Sequence, residues 1–130
     1  MNNGHASILV VEDDREINEL VGAYVQIGGF EYRKALDGQT ALSEARSRAP
    51  AMVILDLMLP DIDGFEVCKQ LKSDSTTRAV PVVMLTALGD EKSRAKGEAC
   101  GAVDYMVKPF DPDRLLAALA KHARTNVTSS

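Results

Sequence analysis

Four short apolar runs recur along the chain, and none alternates with polar residues: Ile8-Leu9-Val10-Val11, Met52-Val53-Ile54-Leu55, Val82-Val83-Met84-Leu85 and Tyr105-Met106-Val107. Runs of this kind are strands covered on both faces, which restricts the sheet to a parallel one with helices above and below it. A weaker fifth candidate, Glu31 to Ala35, follows Gly28-Gly29 and precedes the turn signal Asp37-Gly38. It reads as an edge strand.

Between the runs the apolar period becomes helical. Ile17, Leu20, Val21 and Tyr24 share one face, and Ala41, Leu42, Ala45 and Ala49 repeat the pattern. Val67, Cys68 and Leu71 mark a third helix. Leu115, Ala118, Leu119 and His122 mark a last one, opened by Asp111 as cap and Pro112 at the first helical position. Asp90 to Ala99 offers only Ala95 and Ala99 as apolar residues and carries Gly97 inside, so a marginal, mobile helix is expected there. Strands alternating with helices give a three-layer, doubly wound α/β domain with a five-stranded parallel sheet, since parallel neighbours need crossover connections.

The chain's 130 residues suffice for one domain, and 45% hydrophobic with 26% charged residues is a globular composition. The net charge of −4 argues against nucleic acid or an anionic membrane as main partner. No secretory leader or spanning segment is visible, so the expected compartment is the cytoplasm. Cys68 and Cys100 form no metal-ligand pattern and read as small core hydrophobes.

In doubly wound sheets, ligands bind beyond the carboxyl ends of the strands. There the first strand runs into Glu12-Asp13-Asp14, the third ends at Asp56, the fourth at Thr86 and the fifth at Lys108-Pro109. If Glu12, Asp13 and Asp56 converge, their repulsion calls for a cation, and oxygen ligands with room for phosphate suit magnesium. Lys108 and Thr86 would complete an oxyanion receptor for phosphoryl transfer onto Asp56. Taken alone, Glu12-Asp13-Asp14 could equally be a solvated turn with Asp14 capping the next helix. Thr86 and Lys108 are individually ordinary surface chemistry, and only their co-occurrence with Asp56 changes the odds. His5 and His122 suggest no phosphoryl or metal role.

Asp61-Ile62-Asp63-Gly64 invites two other readings. A calcium loop fails, because Leu59 and Gln70 would fill its first and twelfth positions. A phosphatase with Asp61 as nucleophile is disfavoured because Asp61 follows Pro60 rather than ending a strand. A turn plus helix cap is preferred, with Asp63 and Glu66 in capping-box spacing. A flavin-binding domain of the same topology is weaker still, since the acidic loop after the first strand would repel a phosphate.

These residues resemble the response-regulator receiver domains of two-component phosphorelay signalling, with the CheY-like fold. The resemblance rests on Leu9 to Asp14, Leu55 to Gly64, Leu85-Thr86-Ala87 and Val107 to Phe110, and covers residues 6–124. Residues 1–5 and 125–130 are expected to be flexible termini, and the short tail after Arg124 suggests a free-standing receiver. The resemblance implies strand order 2-1-3-4-5 and Asp56 as phosphoacceptor. It further implies magnesium held by Glu12, Asp13, Asp56 and the backbone carbonyl of Met58. Thr86 and Lys108 would bind phosphoryl oxygens, Tyr105 would be a switch aromatic coupled to Thr86, and Lys108-Pro109 would be cis. Met58 and Leu88 are apolar where fast-hydrolysing relatives can carry polar side chains, so a long-lived phosphoryl group is expected. The donor would be a histidine kinase or phosphotransfer domain, and the partner would read helix 4, strand 5 and helix 5. The alternative function is a magnesium-dependent phosphatase acting on external phosphomonoesters.

Overall fold

The computed structural model describes residues 6–123. Five strands, β1 (Ser7–Val11), β2 (Glu31–Ala35), β3 (Met52–Leu55), β4 (Val82–Thr86) and β5 (Asp104–Val107), alternate with five helices. These are α1 (Arg15–Ile27), α2 (Gly38–Ser47), α3 (Gly64–Ser73), α4 (Glu91–Ala99) and α5 (Pro112–His122). All neighbouring strands run parallel, in the order β2-β1-β3-β4-β5. The expected fold and strand order are both present.

Successive side chains of a strand point to opposite faces, so each apolar run feeds two cores. Leu9, Val11, Val53, Leu55, Val82 and Met84 pack with Ala41, Leu42, Ala45, Val67, Cys68 and Leu71 from α2 and α3. Ile8, Val10, Met52, Ile54, Val83 and Leu85 pack with Val21, Val25, Leu115, Ala118 and Leu119 from α1 and α5. That division is why the runs show no alternation. The edge strand β2 buries only Arg33 and Ala35.

The helix ends follow local chemistry. Asp14, Asp37, Asp63, Asp90 and Asp111 cap α1 to α5, each accepting a backbone N–H of its own first turn. The expected capping box at α3 is not formed: Asp63 accepts from Phe65 N at 2.7 Å, while Glu66 accepts from Gln70 one turn on. Ala49 lies outside α2, which stops at Ser47. Pro50 disfavours helical geometry in the residue before it. As expected, little burial holds α4: Ala95 and Ala99 are exposed and Gly97 is the buried residue. A methyl group there would press on the Tyr105 ring at 3.0 Å, so glycine lets the helix settle on that ring. Among the described residues no helix is long and apolar enough to cross a membrane. The expectations for residues 1–5, His5 included, and for 124–130 lie outside the described residues.

Candidate functional site

Strand order reverses between β1 and β3, which opens a crevice at their carboxyl ends. Val11 pairs with Leu55, and the ladder continues one step through Asp56 N to Val11 O at 3.0 Å. Glu12 and Asp56 therefore stand side by side. On the other flank Thr86 pairs with Val107, and Lys108 N donates to Thr86 O at 2.8 Å. The Lys108-Pro109 bond is cis, as expected. Gly64 lets the start of α3 approach closely, because a methyl group there would collide with the Asp56 carbonyl oxygen and the Leu57 backbone.

Lys108 Nζ joins the two buried carboxylates, donating to Glu12 Oε1 and to Asp56 Oδ2, the latter at 2.9 Å. Asp56 Oδ1 accepts from Met58 N at 3.2 Å, and Glu12 Oε2 accepts from Asp14 N at 2.9 Å. Asp56 is only 4% exposed, whereas Asp13 faces solvent. Burial raises the Glu12 pKa and the charge of Asp56 adds to it, against the opposing hydrogen bonds from Lys108 and the Asp14 N–H. For Lys108 burial works against the charge, but the hydrogen bonds to Glu12 and Asp56 outweigh it and hold the pKa above the usual lysine range. Glu12, Asp13 and Asp56 each offer an oxygen, all within 4.8 Å of one another. An all-carboxylate donor set open to solvent on one side suits a hard divalent cation such as magnesium better than a soft one.

Thr86 is fully buried, and its Oγ1 accepts from Leu88 N at 3.3 Å. Tyr105 donates its hydroxyl to the carbonyl of the same Leu88. The expected Thr86 and Tyr105 pair thus meets through one backbone unit rather than directly. Arg94 lies over the Tyr105 ring at 5.1 Å. The Met58 side chain is 57% exposed and stands away from the core. His122 Nε2 lies 3.4 Å from Asp104, on α5, remote from the carboxylate crevice.

Two supporting residues escaped the sequence reading. Asn18 is fully buried, and its amide donates to the carbonyls of Val10, Glu12 and Ala35 while accepting from the Tyr32 hydroxyl. A polar residue beside the apolar stripe of α1 was its signal. The Asp61 carboxylate accepts from Gly38 N and Gln39 N at 2.8 and 2.9 Å, sealing the start of α2 from another loop. Nothing in local spacing announces that contact.

A family model for the response regulator receiver domain matches residues 8–120. The chain is 42% identical over 110 residues to the DNA-binding dual master transcriptional regulator RpaA of Synechocystis sp., covering 85% of this chain and 46% of that protein. It is 43% identical over 112 residues to the phosphate regulon transcriptional regulatory protein PhoB of Escherichia coli, covering 86% of this chain and 49% of that one. The chain therefore spans about half the length of these curated relatives. Among solved structures, the Vibrio cholerae chemotaxis protein CheY4 superposes with a TM-score of 0.85 at 33% identity, covering 91% of this chain and 98% of that one. The BeF3-activated DrrB receiver domain superposes at 0.83 with 36% identity, covering 91% and 97%. With the match reaching from Ile8 to Ala120, the chain belongs to the receiver domains of two-component response regulators.

Proposed function

We propose that Asp56 accepts a phosphoryl group from the phosphohistidine of a histidine kinase or phosphotransfer domain, and that a partner reads the result at α4, β5 and α5. The observation that carries this reading is the bridge from Lys108 to both Glu12 and Asp56, beside the exposed Asp13. In the transfer an Asp56 oxygen bonds to phosphorus as the donor's P–N bond breaks, so the domain is a signalling module that assists one event rather than a turnover enzyme.

Magnesium would be held by Glu12, Asp13, Asp56 and the Met58 carbonyl, and would neutralise charge on the phosphoryl oxygens. Lys108 supplies a second positive charge from the opposite flank. Thr86 would donate its hydroxyl to a phosphoryl oxygen, moving away from Leu88 N as it does so. Because Tyr105 holds the carbonyl of that same Leu88, movement of Thr86 passes to β5 and to the helix resting on the Tyr105 ring. Helix α4 is suited to move, since Gly97 is its one buried residue. The domain is proposed to work in the cytoplasm, with a protein rather than nucleic acid or membrane as its direct contact.

Intact mass after incubation with acetyl phosphate tests this reading. Wild type should gain one phosphate in the presence of magnesium, and Asp56→Asn should gain none. Full labelling of Asp56→Asn would remove the assignment. The decay of the adduct also reads the expected long lifetime, which loss within seconds would contradict.

A further inference from the structure

Away from the carboxylate crevice, α3 and α4 bring two thiols together. Cys68 is fully buried in the middle of α3, and its Sγ lies 3.3 Å from the carbonyl oxygen of Cys100, the residue that caps the end of α4. The Cys100 thiol donates to Gly97 O at 3.2 Å, and both cysteines are free. Burial, and then the adjoining Cys100 thiol, push the Cys68 thiol well above the usual cysteine range. Cys100 is partly exposed at the wall of a surface groove of about 460 Å³, which Phe65, Lys69, Lys96 and Ala99 share. Lys96 Nζ lies over the Phe65 ring at 4.6 Å on the same rim.

Cys100 is therefore partly accessible, while Cys68 is sheltered with its Sγ against the Cys100 backbone. An accessible sulfur that meets an oxidant, beside a second sulfur that resolves the product, is the arrangement of a redox pair. We propose that Cys68 and Cys100 form a reversible dithiol–disulfide pair through which a hydroperoxide fastens the end of α4 to α3.

The chemistry balances within the pair and the oxidant. The Cys100 sulfur attacks the terminal peroxide oxygen. The O–O bond breaks, and the remaining alkoxide or hydroxide leaves with the thiol's proton as alcohol or water. Cys100 becomes a sulfenic acid. The Cys68 sulfur then attacks the Cys100 sulfur, the S–O bond breaks, and water departs with the Cys68 proton. Two thiols lose two electrons and two protons, all taken up by the hydroperoxide. A dithiol reductant reverses the reaction. The consequence is mechanical. Helix α4 buries only Gly97, and a covalent tether at its last turn removes the freedom that its displacement needs.

The test treats the full chain with hydrogen peroxide under native conditions, quenches with an alkylating reagent in denaturant, and maps the peptides. Wild type should lose the mass of two hydrogens, show a linked Cys68–Cys100 peptide, and return to two alkylated thiols after dithiothreitol. Amide exchange in residues 91–99 should slow by about tenfold in the oxidised form. Cys68→Ala should stop at a Cys100 sulfenic acid that dimedone traps, and Cys100→Ala should leave Cys68 unreacted. Sulfenic or sulfinic Cys100 without the linked peptide in wild type, or unchanged exchange in α4 once linked, overturns the proposal. The readout uses unphosphorylated protein, so its failure leaves the Asp56 assignment standing, and failure of Asp56 labelling leaves this pair untouched.

Discussion

Asn18 shows how a single polar side chain can organise the carboxylate crevice without entering it. Its amide gathers the carbonyls of Val10, Glu12 and Ala35, so the turn carrying Glu12 and Asp13 is tied to α1 and to the edge strand. Leaving a buried carbonyl unpaired costs more than one hydrogen bond contributes. Asn18→Ala should lower unfolding free energy by about 2 kcal/mol in a urea titration, and should slow acetyl phosphate labelling although residue 18 is not in the crevice. Labelling at the wild-type rate would show that the acidic turn holds its position unaided. Lys108 acts more directly, as the cation that allows two buried carboxylates to coexist. With its pKa raised, its charge contribution is complete below the ordinary lysine range and is lost only in strong alkali.

Elements in this domain are fastened to one another at their ends. Asp61, in the loop between β3 and α3, satisfies the first two N–H groups of α2, and those bonds hold its carboxyl below the ordinary aspartate range. A carboxylate at a helix N-terminus is favourable through both the orphan donors and the helix dipole. Because the folded pKa is depressed, the stability Asp61 contributes is full above the ordinary value and disappears as pH falls through the folded one. Asp61→Asn should therefore lose about 0.5 kcal/mol at neutral pH, and the gap to wild type should close below about pH 4. Paired denaturation curves across that range check it; a gap independent of pH would mean the charge is not what seals α2. At α4 the balance is opposite. Each of the other four helices buries three side chains larger than glycine, whereas α4 rests Gly97 on an aromatic ring. The element least tied to the core is the one proposed to respond.

Across the whole molecule, two cores on either face of one sheet give a frame stiff enough to hold like charges together at its edge. That arrangement carries a cost which a bound cation would relieve, so metal binding would be linked to folding. At a magnesium concentration a hundredfold above Kd, unfolding free energy should rise by about 2.7 kcal/mol, visible as a higher Tm. Asp13→Asn should show little of that rise while being at least as stable as wild type without metal, because it removes repulsion rather than packing. A magnesium response equal to wild type in Asp13→Asn would argue against the acidic cluster as the metal's seat. The strands, the helices that alternate with them and the strand-end residues Glu12, Asp13, Asp56, Thr86 and Lys108 were legible in the sequence. Apolar periodicity is set by burial, and strand-end chemistry follows from the carboxyl-edge rule for such sheets. The capping box at α3 and the length of α2 were misread, because a cap partner and a proline three residues past Ser47 each override local preference, while the weak burial expected of α4 is present, with the ring beneath Gly97 unforeseen. Asp61 on α2, the Thr86–Leu88–Tyr105 connection and the meeting of Cys68 with Cys100 join residues distant along the chain. Which such residues touch depends on how the layers stack, and that is settled by packing in three dimensions rather than by any spacing a linear pattern records.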